Sequence, residues 1–159
     1  MDKEISASAL PRCGGQKSGW TFPHSDVTSR ILSAAIHVHR QLGPGFLEKI
    51  YQSALRMELT KRRIAHEYQL PVRIHYDGVQ IGLHRLDLVV ERKVIVELKA
   101  AKIIDDIHLA TILSYLRATN IEAGLILNFS GSKLAIRRVV RSLNLAAEAQ
   151  SYGGAENSD

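Results

Sequence analysis

Asp87 and the tripeptide Glu97-Leu98-Lys99 are the residues whose types and spacing could do chemistry. In an extended chain side chains two apart share a face, so Glu97 and Lys99 project the same way while Leu98 points into the core. If the strands carrying Asp87 and Glu97 form a hairpin, two carboxylates converge beside one ammonium. Carboxylates that close raise one another's pKa unless a cation joins them. Oxygen donors at that density suit Mg2+ or Mn2+, with Asp87, Glu97 and the Leu98 carbonyl as protein ligands and water completing the shell. Such an ion would polarise a scissile phosphodiester and lower the pKa of a bound water, with Lys99 orienting that water or stabilising the growing negative charge. The plain alternative is an exposed acid and lysine paired across a hairpin, which contributes little to stability. The run Val94-Ile95-Val96 before Glu97 weighs against it, since a strongly apolar strand that ends in charge is how active-site strands are often built.

Several elements must position these residues. From Asp26, read as an N-cap, apolar residues at Val27, Ile31, Ala34, Ala35, Val38 and Leu42 trace one helical face. Gly43-Pro44-Gly45 ends that helix. A second is expected over 46–63, with Leu47, Ile50, Tyr51, Ala54 and Leu55 inward and Lys61-Arg62-Arg63 at the negative pole of its dipole. The period then changes to two. Leu70, Val72, Ile74 and Tyr76 alternate as a strand that Pro71 places near an edge, and Asp77-Gly78 is a hairpin turn. Strands over 79–90 and 94–99 follow, then a helix over 105–118 with Asp105 or Asp106 near its start, a buried strand over 124–129, and an alternating last segment over 134–140. The expected fold is α/β, with a mixed sheet flanked by helices.

Composition bounds the rest. The chain has 159 residues, 45% of them hydrophobic, which is room for one domain with an ordinary core. Residues 1–25 carry Pro, Gly and Ser without an apolar period and read as a flexible arm; 26–142 form the domain, and 143–159 a polar, fraying tail. A formal charge of +5, with basic groups at Lys61-Arg62-Arg63 and at Arg137, Arg138 and Arg141, favours an anionic partner such as nucleic acid. Cys13 is the single cysteine, which excludes an intrachain disulfide and a thiolate metal cluster and fits a reducing compartment. No segment approaches the roughly 20 apolar residues of a membrane span, and the start has no apolar run after a basic one. A cytoplasmic protein without membrane contact is expected. A homodimer is left open.

The segment Arg85-Leu-Asp87-Leu-Val-Val followed by Val-Ile-Val-Glu97-Leu-Lys99 resembles the PD-(D/E)XK nuclease signature. Gly45-Phe-Leu-Glu48-Lys-Ile-Tyr51 resembles the motif of the GxxExxY proteins, a branch of that superfamily, and the likeness runs from about Val27 to Val140. It implies a restriction-endonuclease-like core, a divalent metal and a nucleic-acid substrate. Carried over residue by residue, it makes Glu48 a further metal ligand, where favourable placement at a helix N-terminus is the plain alternative. Tyr51, Thr111 and Tyr115 take substrate-positioning places, although Tyr51 also reads as a packing residue with a satisfied hydroxyl. One departure matters: glutamine usually stands four residues before Tyr115, and here Thr111, which is shorter, occupies that place. His37 and His39 lie about 200° apart around their helix and are read as structural or exposed, and His108 as a cap or surface residue. Three functions follow: a Mg2+-dependent phosphodiesterase acting on DNA or RNA, a binding module on the same scaffold, and, least supported, a dimerisation protein.

Overall fold

The computed structural model describes residues 21–141. The expected tail, Cys13 and most of the expected arm lie outside them.

Eight elements follow in the expected order: α1 Ser25–Leu42, α2 Glu48–Lys61, β1 His66–Tyr76, β2 Val79–Val90, β3 Val94–Lys99, α3 Asp106–Thr119, β4 Ala123–Asn128 and β5 Ala135–Val140. The five strands form one mixed α/β sheet in sequence order, antiparallel except for the parallel pair β3–β4 that α3 connects. This agrees with a restriction-endonuclease-like fold. The sheet separates two cores. On one face Val27, Ile31, Ala34, Ala35 and Val38 of α1 and Tyr51, Leu55 and Leu59 of α2 pack on Leu88, Val96, Leu98 and Leu125. On the other, Ile112, Tyr115 and Leu116 of α3 pack on Leu86, Val89, Ile95 and Ile126. Gly124 lets α3 settle there, because a Cβ at that position would lie 2.8 Å from the Ile112 side chain. All six residues of β4 are buried, as a strand covered on both faces requires.

Four expectations change at element ends. The N-cap of α1 is His24, in the left-handed region at φ 55°, and Asp26 lies inside the first turn, where its charge still suits the helix dipole. The second helix begins at Glu48, two residues later than its apolar pattern suggests, with Leu47 extended at ψ 149° as its N-cap. Leu47 and Ile50 are therefore outside the core, 78% and 46% exposed, while the buried stripe is Tyr51, Gln52, Leu55 and Leu59. Strand β1 starts at His66 and runs through Pro71; it lies at the sheet edge, where the missing amide hydrogen costs no ladder bond.

The β1–β2 ribbon turns over partway along. Tyr68 reaches Gln52 and Arg56 of α2 and its partner Leu88 is in the α1–α2 core, whereas Leu70 and its partner Leu86 pack with α3. Residues two apart in a regular strand share a face. Here they do not, because Gln69 takes φ 54° and the pairing skips from Tyr68–Leu88 to Leu70–Leu86. Asp87 sits at that turnover.

Candidate active site

Pairing between β2 and β3 runs through Val90–Val94, Val89–Ile95 and Leu88–Val96 and then stops. Beyond that point the strands part, which leaves the Leu98 N–H without a strand partner on the β2 side. Asp87 supplies one: its Oδ2 accepts the Leu98 N–H at 3.0 Å, so the first acid is locked onto the backbone of the strand that carries the second. Glu97 continues the Ile95 face of β3, and Lys99, two residues on, donates from Nζ to Glu97 Oε1 at 2.9 Å. Leu98 is fully buried on the opposite face, as its place between them demands.

Asp87 and Glu97 are 9% and 8% exposed. Burial pushes the Asp87 carboxyl above the usual carboxylate range, against the Leu98 N–H, the Lys99 charge and the nearby Gln52 amide. Glu97 is likewise raised, by burial first and by the negative charge of Asp87 next, while Lys99 works in the other direction. Burial alone would lower Lys99, yet its hydrogen bond to Glu97 and the charges of Glu97, Glu48 and Asp87 leave it raised. The cluster therefore carries more negative charge than its one lysine offsets. Glu97 Oε2 is buried and has no hydrogen-bond partner. A buried charged oxygen left unpaired is costly. That oxygen, next to a second raised carboxylate, is the feature of this site that a divalent cation fits.

Glu48 opens α2 and is half-buried; its charge is felt at both Glu97 and Lys99. Among the described residues no three His, Cys, Asp or Glu side chains stand close enough together to hold one ion, so Glu48 is a neighbour of the acid pair. Tyr51 is fully buried and its hydroxyl donates to the Gly43 carbonyl at 2.7 Å and accepts the Phe46 N–H at 3.1 Å. It ties the α1–α2 loop together, which is the packing role, and leaves no hydroxyl hydrogen for a substrate. Thr111 Oγ1 donates to Ile107 O in its own helix at 2.7 Å. Tyr115 faces the acids, whose charges it senses.

Three residues of this neighbourhood were not singled out by the sequence. Gln52, 5% exposed, accepts the Tyr68 hydroxyl at 3.4 Å; it follows Tyr51, and its polarity at an inward position was the clue. Asn128, beside Lys99 in the β3–β4 register, holds the loop after the active-site strand by accepting the Ala101 N–H at 3.1 Å and donating to the Ala101 carbonyl at 2.7 Å. His84 is the third, partnered with Tyr115. The histidines singled out earlier are structural or exposed: His39 Nε2 bonds Gly131 O at 2.9 Å, His37 is exposed near Glu58, and His108 closes a capping box with Asp105. Arg62 pairs with Glu58 at 2.7 Å and donates to Ser33, which commits the middle of the Lys61-Arg62-Arg63 group. A cavity of about 1030 Å3 runs along the β1–β2 ribbon and is lined by none of Asp87, Glu97 or Lys99.

Residues 25–139 match the family model of the PD-(D/E)XK nuclease superfamily. The chain belongs to that superfamily. Asp87, Glu97 and Lys99 all lie within the matched residues. No curated protein matches the chain. Among solved structures, the crystal structure of SSO0001 superposes with a TM-score of 0.47 at 16% identity, over 64% of this chain. The chain spans 54% of that protein's length. No helix among the described residues is long and apolar enough to cross a membrane.

Proposed function

We propose that this PD-(D/E)XK protein, as a member of the GxxExxY branch, is a divalent-metal-dependent nuclease that hydrolyses phosphodiester bonds of DNA or RNA in the cytoplasm. The observation that carries the reading is the buried pair Asp87 and Glu97, both raised, beside Lys99, with Glu97 Oε2 left unpartnered. Asp87, Glu97 and the Leu98 carbonyl would hold Mg2+ or Mn2+, with Glu48 at its border. Two carboxylates suffice for Mg2+, which keeps several of its waters. When bound, the ion would supply Lewis acidity toward the phosphate and lower the pKa of water. The chain's own residues do the remainder. Burial of the acids excludes bulk water and strengthens every charge interaction in the cleft. Lys99, held by Glu97, presents an ammonium where negative charge grows. The Leu98 N–H fixes the Asp87 carboxylate, and Asn128 fixes the loop that follows Lys99. A basic chain, +5 overall, raises the local concentration of a polyanionic substrate.

A second reading has its own support. Thr111 spends its hydroxyl within α3, and among the described residues no third acid joins the pair, so a binding module with weak or no turnover would have the same fold. Supercoiled plasmid and a labelled single-stranded oligonucleotide, each incubated with Mg2+ or Mn2+, separate the two. Cleavage that falls on the order of 1000-fold in Asp87→Asn, Glu97→Gln and Lys99→Ala, all with native melting curves, supports the enzyme. Binding without cleavage under any divalent ion favours the module.

A further inference from the structure

His84 stands on β2 three residues before Asp87 and is exposed. Beyond the turnover at Asp87 this part of β2 faces α3, and the imidazole meets the Tyr115 ring with centroids 4.5 Å apart. Tyr115 is 5% exposed, and its hydroxyl and His84 Nε2 are hydrogen-bond partners. Both groups border the acid pair: His84 shares β2 with Asp87, and burial together with the Glu97 and Asp87 charges pushes the Tyr115 phenol up to about 12.

These contacts decide which ring nitrogen meets Tyr115 and which is left free of it. A neutral imidazole whose Nε2 accepts the Tyr115 hydroxyl hydrogen holds its own proton on Nδ1. A protonated imidazole carries a hydrogen on Nδ1 as well. In either state Nδ1 is an N–H donor on an exposed ring at the edge of the acid pair, aimed by a buried partner that cannot turn away. Phosphate oxygens take such donors, and a carboxylate cluster alone offers a phosphate none.

Resting on the nuclease reading, we propose that His84 is a substrate-binding residue whose outward Nδ1–H donates to a non-bridging phosphate oxygen of the bound strand, and that Tyr115 positions it. This gives the Thr111 chain a phosphate donor from β2, in a cleft where α3 lacks the usual glutamine.

Four full-length variants test it: His84→Ala, His84→Asn, His84→Gln and Tyr115→Phe. Asparagine places an amide hydrogen where Nδ1–H stood, whereas glutamine reproduces only the Nε2 side that Tyr115 holds. With a labelled oligonucleotide and Mn2+, His84→Ala and His84→Gln should raise KM roughly tenfold, the loss of one hydrogen bond to a charged group. His84→Asn should stay near the parent, and Tyr115→Phe should fall between. A purely structural His84 gives the reverse order, with glutamine rescuing both melting temperature and KM and asparagine neither, and that result overturns the proposal. So do four variants with parental KM. If the parent cuts neither oligonucleotide nor plasmid, the nuclease reading fails separately, and anisotropy of the same oligonucleotide in Ca2+ judges His84 alone. The same rank order in affinity supports it; equal affinities, or no binding by the parent, overturn it.

Discussion

The two ends of the β2–β3 pair are built from adjacent residues and behave oppositely. At one end Leu88, Val89 and Val90 face Val96, Ile95 and Val94 in a continuous ladder, every side chain buried in one core or the other. At the other end the ladder has stopped, and a carboxylate oxygen takes the Leu98 N–H in place of a strand carbonyl. The apolar end gains free energy from burial. The charged end gives some back, since Asp87 and Glu97 are both raised by burial. A site of this kind is affordable only because the stable half of the same two strands fixes its geometry.

That contrast can be broken from the apolar side. Leu88→Ala removes a fully buried side chain beside the turnover and should destabilise the fold by about 2–5 kcal/mol, measured by urea unfolding. A cost under about 1 kcal/mol would mean that this end does not anchor the charged one. Tyr51→Phe should cost less, about 1–3 kcal/mol, because the Gly43 carbonyl and the Phe46 N–H lose their shared partner. If instead the variant melts like the parent and loses activity, Tyr51 belongs to substrate positioning after all.

The smallest expected effect has the opposite sign. A carboxyl whose pKa is raised by folding makes the folded state most stable at low pH, and stability declines as pH climbs from the ordinary carboxylate range through the raised value. At neutral pH, without metal, Glu97→Gln should therefore raise the melting temperature by roughly 2–5 °C. Added Mg2+ or Mn2+ should stabilise the parent and leave this variant unmoved. A variant that melts below the parent without metal would show that Glu97 is already satisfied.

Much of the charged end was legible because its rule is local. Alternation alone puts Glu97 and Lys99 on one side and Leu98 on the other, and Asp77-Gly78 folds β1 onto β2. The turnover at Gln69 and Asp87 was not legible: Leu86, Leu88, Val89 and Val90 are all apolar, so the sequence carries no change of period where the face changes. Gln52, His84 and Asn128 escaped for a related reason, since each acts on a residue far away in sequence. The start of α2 was misplaced because Leu47 is apolar yet extended, an end that tertiary geometry sets rather than pattern.

A crystal soaked in Mn2+, read by its anomalous signal, tests the central claim most directly. The expected result is a peak within ligand distance of both Asp87 and Glu97 and of the Leu98 carbonyl, lost in Glu97→Gln. A peak elsewhere on the molecule, with these acids unliganded at saturating Mn2+, would contradict it.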